Sequence, residues 1–569
     1  MINKILTFRL VTILAVIYLI ISCSSEAEKD MKLFHGGTIL TVDKSFSEVE
    51  AVAIQENKII ATGDYESIND EYGSRSELID LKGRTMLPGF IDAHAHVVSG
   101  SAVNYLMDYV GMSRFATTEE VLNYLTEKAK NTEKGEWITA RNWDPAIQGG
   151  PEMLTFEELD AISTEHPVFI LNASGHWAYA NAKAFEVAGI TKDIENPTGA
   201  EFLRDEDSQL VGSMKNMLSF IKVWGANPGL KTMDPVKALN TLLNEWNAEG
   251  ITTTTELALG VATNSPKDVD ILFDAAKRTD FTARVRAYAS YVINDQWDEY
   301  GLKAGQGNEY ARIVGFKLVA DGSNQGFTGL QREPYCCGMH QDSYGQEYTS
   351  IETLTKYSKQ RSAQGFQLAI HGNGDKAIDN ILTVMESLKN EGFDLKSLRP
   401  RIEHASILQD DQIEKMAKYS VSASFLIGHV YYWGEFMRDK VFGEEKLQLL
   451  DRAASLEKRN ISYTLHSDFM VTNPDPLEMI SIAVNRNTWK NKDYEIAPNE
   501  AVSVESAIRA VTSEAAWQVM SEHEIGSIEP DKFADFVILD SDPRKVKKEN
   551  IGKITVLETW MDGEKVHSK

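Results

Sequence analysis

Two histidines two residues apart close an apolar run in this chain: FIDAHAHVVSG covers residues 90–100 and carries His94 and His96. In a strand, the period of two aims both imidazoles the same way. Two neutral imidazoles at a strand's C-terminal tip can hold a zinc-class ion and leave positions open for water. Three more ligand-type side chains each follow a short β-like run and open a loop: His371 in FQLAIHGNGD, His404 in RPRIEHAS and Asp468 in SYTLHSDFMV. Between the pair and these three, RIVGFKLVADGS places Lys317 inside an apolar strand. An ammonium buried alone is costly, so Lys317 must find a partner, lose its proton or be chemically changed. Reaction with carbon dioxide would make it a carbamate, an anionic oxygen ligand able to bridge two cations.

In this order, His-x-His, strand lysine, His, His and Asp, the residues resemble the amidohydrolase superfamily in its binuclear form with a carboxylated lysine. The stretches TMLPGFIDAHAH, FKLVADGSNQGFTG and LHSDFMVTNPDP are similar to a branch that includes N-substituted formamide deformylases and exoenzyme-regulatory hydrolases. The likeness covers nearly all of the chain after residue 30. It implies two divalent ions, with zinc expected: His94, His96 and Asp468 on the first, His371 and His404 on the second, and modified Lys317 between them. Water shared by such ions becomes acidic near neutral pH. Asp468 is then the expected general base and acid.

Other residues have weaker patterns. His176, in LNASGHWAYAN, is a polar group among aromatics that could donate to a substrate carbonyl; a structural role fits equally. Trp143 and Asp144, in RNWDPAIQGGP, and His429, in IGHVYYWG, are pocket candidates. Arg401 and Glu403 flank His404 with strand alternation and read as an ion pair supporting that strand.

The expected reaction is hydrolysis of a non-peptide C–N bond in a small N-substituted formamide or N-acyl amide. The same site on a cyclic amide, lactone or phosphoester is an alternative, since metal ligands specify the nucleophile and not the leaving group. A binding lipoprotein without turnover is another, and the full ligand set speaks against it.

Something must bring these residues together. Strand candidates recur with helical segments at FIDAHAH, ITTTTEL (251–257), RVRAYAS (284–290), RIVGFKLVADG (312–322), FQLAIHGNG (366–374), RPRIEHAS (399–406), SVSASFL (420–426) and SYTLHSD (462–468). Eight such units suggest an α/β TIM (β/α)8 barrel, in which chemistry sits at the C-terminal strand ends. Residues 32–86 alternate apolar and polar positions in short pieces broken by turns, and 526–567 echo them, within expected domain halves at 23–86 and 521–569. The two ends are therefore expected to pair into a small discontinuous β-sandwich domain around a barrel at 87–520. The link from strand one to strand two, about 100–245, far exceeds an ordinary connection and is expected to cover the site.

At 569 residues and 43% hydrophobic composition, the chain can bury a large core and exceeds one ordinary domain. Its formal charge of −26 repels nucleic acid and anionic membrane surfaces and favours small neutral or cationic substrates. Whether it works alone or as a homodimer is left open. Lys4 and Arg9 precede the apolar run VTILAVIYLIIS, followed by Ser22 and Cys23. This pattern resembles a bacterial lipoprotein signal over residues 1–22, with Cys23 lipidated and the enzyme exported, touching a membrane only through its anchor. Cys336 and Cys337 are adjacent, a spacing that rarely suits a disulfide, so two free loop thiols are expected. Cys23→Ala should abolish labelling by fatty acid and leave the precursor unprocessed; unchanged mobility and processing would refute the address.

Overall fold

The computed structural model describes residues 31–197, 200–337 and 340–569, so Cys23 and the leader lie outside the described residues. Eight strands lie in one sheet in chain order: Phe90–Ile91, Ile251–Leu259, Arg284–Ser290, Ala311–Val319, Gln367–Gly372, Arg401–His404, Ser422–Phe425 and Tyr463–Leu465. Every neighbouring pair is parallel. The sheet curls until its ends meet, where Ala95 bridges Phe469 and the Asp468 N–H donates to the His94 carbonyl at 2.9 Å.

Strands such as Arg284–Ser290 and Gln367–Gly372 are buried at every residue, as parallel strands are when helices cover the outer face. One covering helix, Asp375–Asn390, presents Ala377, Ile378, Ile381, Leu382, Met385 and Leu388 at spacings of three and four, an apolar stripe.

The first strand is shorter than its sequence suggests. FIDAHAH keeps ladder pairing only at Phe90–Ile91; beyond it, Ala95 and His96 make single bridges, and His96 is already the N-cap of the helix Val97–Leu106. Released from the ladder, the backbone turns. The His94 and His96 rings stand at 82° with centroids 5.3 Å apart instead of side by side.

The chain ends meet in a second sheet. Its order runs from Glu564–Ser568 and Val556–Met561 through Phe536–Leu539 and Thr85–Pro88 to Met31–Leu40, Glu48–Gln55 and Lys58–Gly63. Ser76–Asp80 pairs with Met31–Leu40 as well, so the sheet forks there. Phe34 packs edge-on against Phe536 and Trp560 at its centre.

Between strands one and two of the parallel sheet lies a third sheet of six strands, from Asp108–Tyr109 to Leu210–Lys215, with a core that includes Val121, Leu125, Ile138, Ile170 and Tyr179. This insertion is fastened over the strand ends by Asn142, whose Nδ2 donates to the carbonyls of Met470 (2.7 Å) and Val471 (3.1 Å), just past Asp468. Among the described residues no helix is long and apolar enough to cross a membrane.

One expectation is overturned. Cys336 and Cys337 are not free thiols but joined by a disulfide across adjacent residues. Regular strand or helix geometry would send neighbouring side chains apart, but these two lie in an irregular loop after Ala311–Val319, which is free of that constraint.

The parallel sheet and the terminal sheet share a buried charge cluster. Arg284, at the start of the third parallel strand, donates to Asp535 at 2.8 and 3.1 Å, reaches Asp562, and stacks over Phe533. Removing one partner of such a cluster strands the others without counter-charge. Arg284→Ala should cost roughly 3–5 kcal/mol, read as a lower urea midpoint; a change under about 1 kcal/mol would place it among ordinary surface pairs.

Candidate metal centre

All the ligand-type residues lie at the C-terminal ends of the parallel strands or in the turns that follow. His94 is fully buried. Its Nδ1 meets Glu403 Oε2 at 2.5 Å, which leaves Nε2 facing Asp468 Oδ1 at 3.3 Å and Lys317 Nζ at 3.1 Å. His96 Nε2 is 3.1 Å from the same Asp468 oxygen. The His94, His96 and Asp468 ligand atoms all lie within 4.8 Å of one another.

His371 and His404 adjoin this group, their ring centroids 4.5 Å apart, with His404 5.0 Å from His94. His371 Nε2 lies 3.1 Å from the Gly322 carbonyl, so Nδ1 is its free nitrogen. His404 Nδ1 is buried without a hydrogen-bond partner, while its Nε2 is 3.9 Å from Asp468 Oδ2. Both His404 and Asp468 take positive φ, 69° and 50°. Such strain at side chains aimed into one cavity is characteristic of sites where the surrounding structure dictates the backbone.

Lys317 is 4% exposed, and among the described residues no carboxylate lies within ion-pair distance of its Nζ. Burial lowers its pKa to about 8, with Glu403 and Asp468 opposing from farther away. An amine that readily loses its proton is a nucleophile, as carbamate formation requires.

The electrostatics are set one layer back. Arg401 holds Glu403 through Nε and Nη2 (2.5 and 2.8 Å) and also donates to the Ala93 carbonyl at 2.7 Å. Burial pushes the Glu403 carboxyl up, but Arg401 and His94 hold it well below the usual carboxylate range. The pair thus supports the strand, and it also fixes the His94 ring, a link that sequence alternation does not reveal. Burial likewise pushes Asp468 up, and His94, His96 and His404 outweigh it, keeping Asp468 ionised. Burial drives His371 down to about 3 and His404 well below the histidine range, so both are neutral donors. His96 is the exception: burial lowers it, but Asp468 and Glu256 raise it to about 9.

Sequence reasoning missed His466. It stacks on His94 with centroids 4.6 Å apart, and its Nε2 contacts the Ser424 carbonyl at 3.1 Å while Nδ1 has no partner. With His94 and His404 it forms a second set of ligand atoms within 4.8 Å. Its signal was its position directly after the apolar strand run and two residues before Asp468. Glu256 was missed too. It accepts the N–H groups of Val98 (2.6 Å) and Ala258 (2.7 Å) beside His96.

The remaining candidates separate. His176 faces the centre, its ring 6.4 Å from His371, and burial lowers its pKa. His429 is buried, 6.5 Å from the His404 ring, with Nδ1 3.1 Å from Ser406 Oγ. Trp143 lies in the core of the insertion, its indole N–H on Thr118 at 2.8 Å and its ring against Tyr179. Asp144 caps the short helix Pro145–Gln148 and accepts the Trp433 indole N–H at 2.9 Å, which ties the insertion to the segment carrying His429. Among the described residues, neither hydrogen-bonds to or stacks on a ligand-type histidine.

Nitrogen and oxygen donors converging with buried, unpartnered imidazole nitrogens are what a borderline divalent ion requires, so the residues fit such a metal. The model of one protein family, the amidohydrolase family, matches residues 77–567. The chain belongs to the amidohydrolase family. As a member it is a hydrolase of carbon–nitrogen bonds. It is 27% identical over 540 residues to the N-substituted formamide deformylase of Arthrobacter pascens, covering 92% of this chain and 96% of that protein. A putative amidohydrolase of Bacillus subtilis is 24% identical over 544 residues, 94% of this chain and 99% of that one. Among solved structures, an uncharacterized metal-dependent hydrolase from Pyrococcus horikoshii superposes with a TM-score of 0.72 at 27% identity, covering 91% of this chain and 99% of that chain.

Because Glu403 orients His94, Glu403→Gln should weaken metal binding by about 10–100-fold, the usual cost of losing such a partner. Metal retained after dialysis against graded chelator measures this, with circular dichroism checking the fold. Retention equal to wild type would show that His94 needs no such support.

Proposed function

We propose that this family member is a binuclear enzyme that hydrolyses the C–N bond of a small N-substituted formamide or N-acyl amide. The observation that carries this reading is the convergence of His94, His96 and Asp468 with a buried Lys317, 3.1 Å from His94, that has no counter-ion among the described residues. His94, His96 and Asp468 would hold one divalent ion, and His371 and His404 a second, with Lys317 as a carbamate between them and zinc the best match to the donors. His466 is a further nitrogen available to the same ions. The curled parallel sheet is read as a closed TIM barrel, whose chemistry belongs at these strand ends, and the chain as an exported lipoprotein anchored at Cys23.

Bound there, the ions acidify water and polarise the scissile carbonyl. The protein's own residues do the rest. Asp468, ionised and partly exposed, takes the proton of the attacking water and returns it to the departing nitrogen. His176 is kept neutral by burial and can donate a hydrogen bond to the carbonyl oxygen as negative charge builds there. The insertion, pinned by Asn142, limits solvent around the reacting groups.

The test is metal analysis of the purified soluble form, followed by a screen of N-formyl and N-acyl amines beside lactams, lactones and phosphoesters. Two metals per chain with turnover of the amides is expected, and turnover only of another class would reassign the substrate. Asp468→Asn should lower kcat by about a hundredfold or more. Lys317→Ala should bring metal content from two ions toward one, partly restored by short carboxylates, and Lys317→Arg should give no rescue because guanidinium stays cationic. Full loading and activity in both lysine variants would make that residue structural.

A further inference from the structure

Glu256 is a fully buried carboxylate that the mechanism leaves without a role. It stands near the end of the strand Ile251–Leu259, whose register with Arg284–Ser290 slips between Glu256 and Leu259, a bulge of the kind that re-aims side chains beside a site. On its other side this strand meets the chain just past the first strand. The Leu257 N–H donates to the Ala95 carbonyl at 2.9 Å, and Glu256 makes a single bridge with His96. The two ends of the long connection are thus joined at the residue that precedes its first helix.

Both oxygens of Glu256 are engaged at that junction. Oε1 accepts the N–H of Ala258 at 2.7 Å and Oε2 that of Val98 at 2.6 Å. Val98 is the second residue of the helix Val97–Leu106, whose N-cap, His96, makes no side-chain capping bond. An N-cap side chain ordinarily takes the N–H at that position, and a negative group there also suits the helix dipole. Glu256 does the capping from another strand, which frees the His96 imidazole. Its Nε2 lies 3.1 Å from Asp468 Oδ1, and its Nδ1 is buried without a hydrogen-bond partner, 3.9 Å from Glu256 Oε1. A neutral imidazole has one lone pair and one N–H, so if Nε2 gives its lone pair to an ion, Nδ1 carries the hydrogen beside this carboxylate. Glu403 stands in the same relation to His94, whose Nδ1 it meets at 2.5 Å.

We propose that Glu256 is a positioning residue: by accepting the hydrogen of His96 Nδ1 it directs Nε2 to the metal, while its bonds to Val98 and Ala258 hold the carboxylate in place. The inference rests on the reading of His96 as a ligand. It gives the His-x-His pair two separate carboxylate supports, Glu403 for the first ring and Glu256 for the second. Such a partner fixes the tautomer of a ligating imidazole and raises its basicity. A carboxylate already anchored by two backbone N–H groups loses little further freedom when it takes a third bond.

The experiment measures the cobalt(II) affinity of the metal-free enzyme by chelator competition, in a double-mutant cycle of Glu256→Gln and His96→Ala. Glutamine matches glutamate in size and keeps an oxygen for one N–H, so the helix retains a cap. Glu256→Gln should weaken cobalt binding by about 10–100-fold. In the His96→Ala background the same change should cost less than about twofold, since the ring through which Glu256 acts is gone. An equal cost in both backgrounds would show that Glu256 only braces the fold, and overturns the proposal. A second measurement needs no Glu256 variant. In zinc-loaded wild type with nitrogen-15-labelled histidines, the His96 signal, assigned by its absence in His96→Gln, should show Nδ1 protonated and Nε2 on the metal; the reverse tautomer also overturns the role. Cobalt affinity unchanged by His96→Ala would instead sink the ligand assignment, and the positioning role with it. Neither readout uses turnover, so the substrate reading is judged separately.

Discussion

The seam between the first and last parallel strands is the constraint on which the site depends. The Asp468 N–H donates to the His94 carbonyl, the His96 N–H to the Phe469 carbonyl, and Ala95 bridges Phe469. These few backbone bonds join residues more than 370 positions apart and bring the His-x-His pair against the aspartate. Neither segment is in a continuous ladder there, so each can turn its side chains inward and adopt the positive φ seen at Asp468. Regular pairing would have been more stable locally, and it would have aimed the rings elsewhere.

Around that seam the interior carries buried charge, and several of the groups are compensated by a specific neighbour. Arg401 and Glu403 form one buried pair, Asp468 is held ionised by imidazoles, and Asp321 accepts three backbone N–H groups from Asn373, Gly374 and Leu330. Burial still pushes Asp321 and Asp92 up to about 7. Lys317 lacks such a neighbour. Burial lowers its pKa to about 8, with Glu403 and Asp468 acting on it only from farther away.

The insertion does more than cover. Its Asn142 and Asp144 bind the loops that follow strands eight and seven, while His176 turns its ring toward His371. The candidate metal ligands therefore lie at the repeating strand ends, while the insertion that faces them belongs to one connection alone. This division lets reaction and selectivity vary separately.

Ligand types and their order were legible in the sequence because the parallel sheet places strands in chain order, and each ligand stands where an apolar run gives way to a loop. The eight quoted runs each overlap a strand of that sheet. The Arg401–Glu403 pair was legible for the same reason, since alternation puts both on one side. The contact of His466 with His94 and the reach of Glu403 to His94 were not, because each depends on atoms from segments hundreds of residues apart. The convergence of His94 and His96 on one point was legible from their spacing, whereas the disulfide between Cys336 and Cys337 was not, because it forms in a loop whose backbone geometry no local pattern specifies. Sequence alone determined the chemical inventory, because residue type and strand period are local properties. Tertiary structure decided which nitrogen faces inward, which charge is compensated and which donors remain unspent, because those depend on contacts that only chain closure creates.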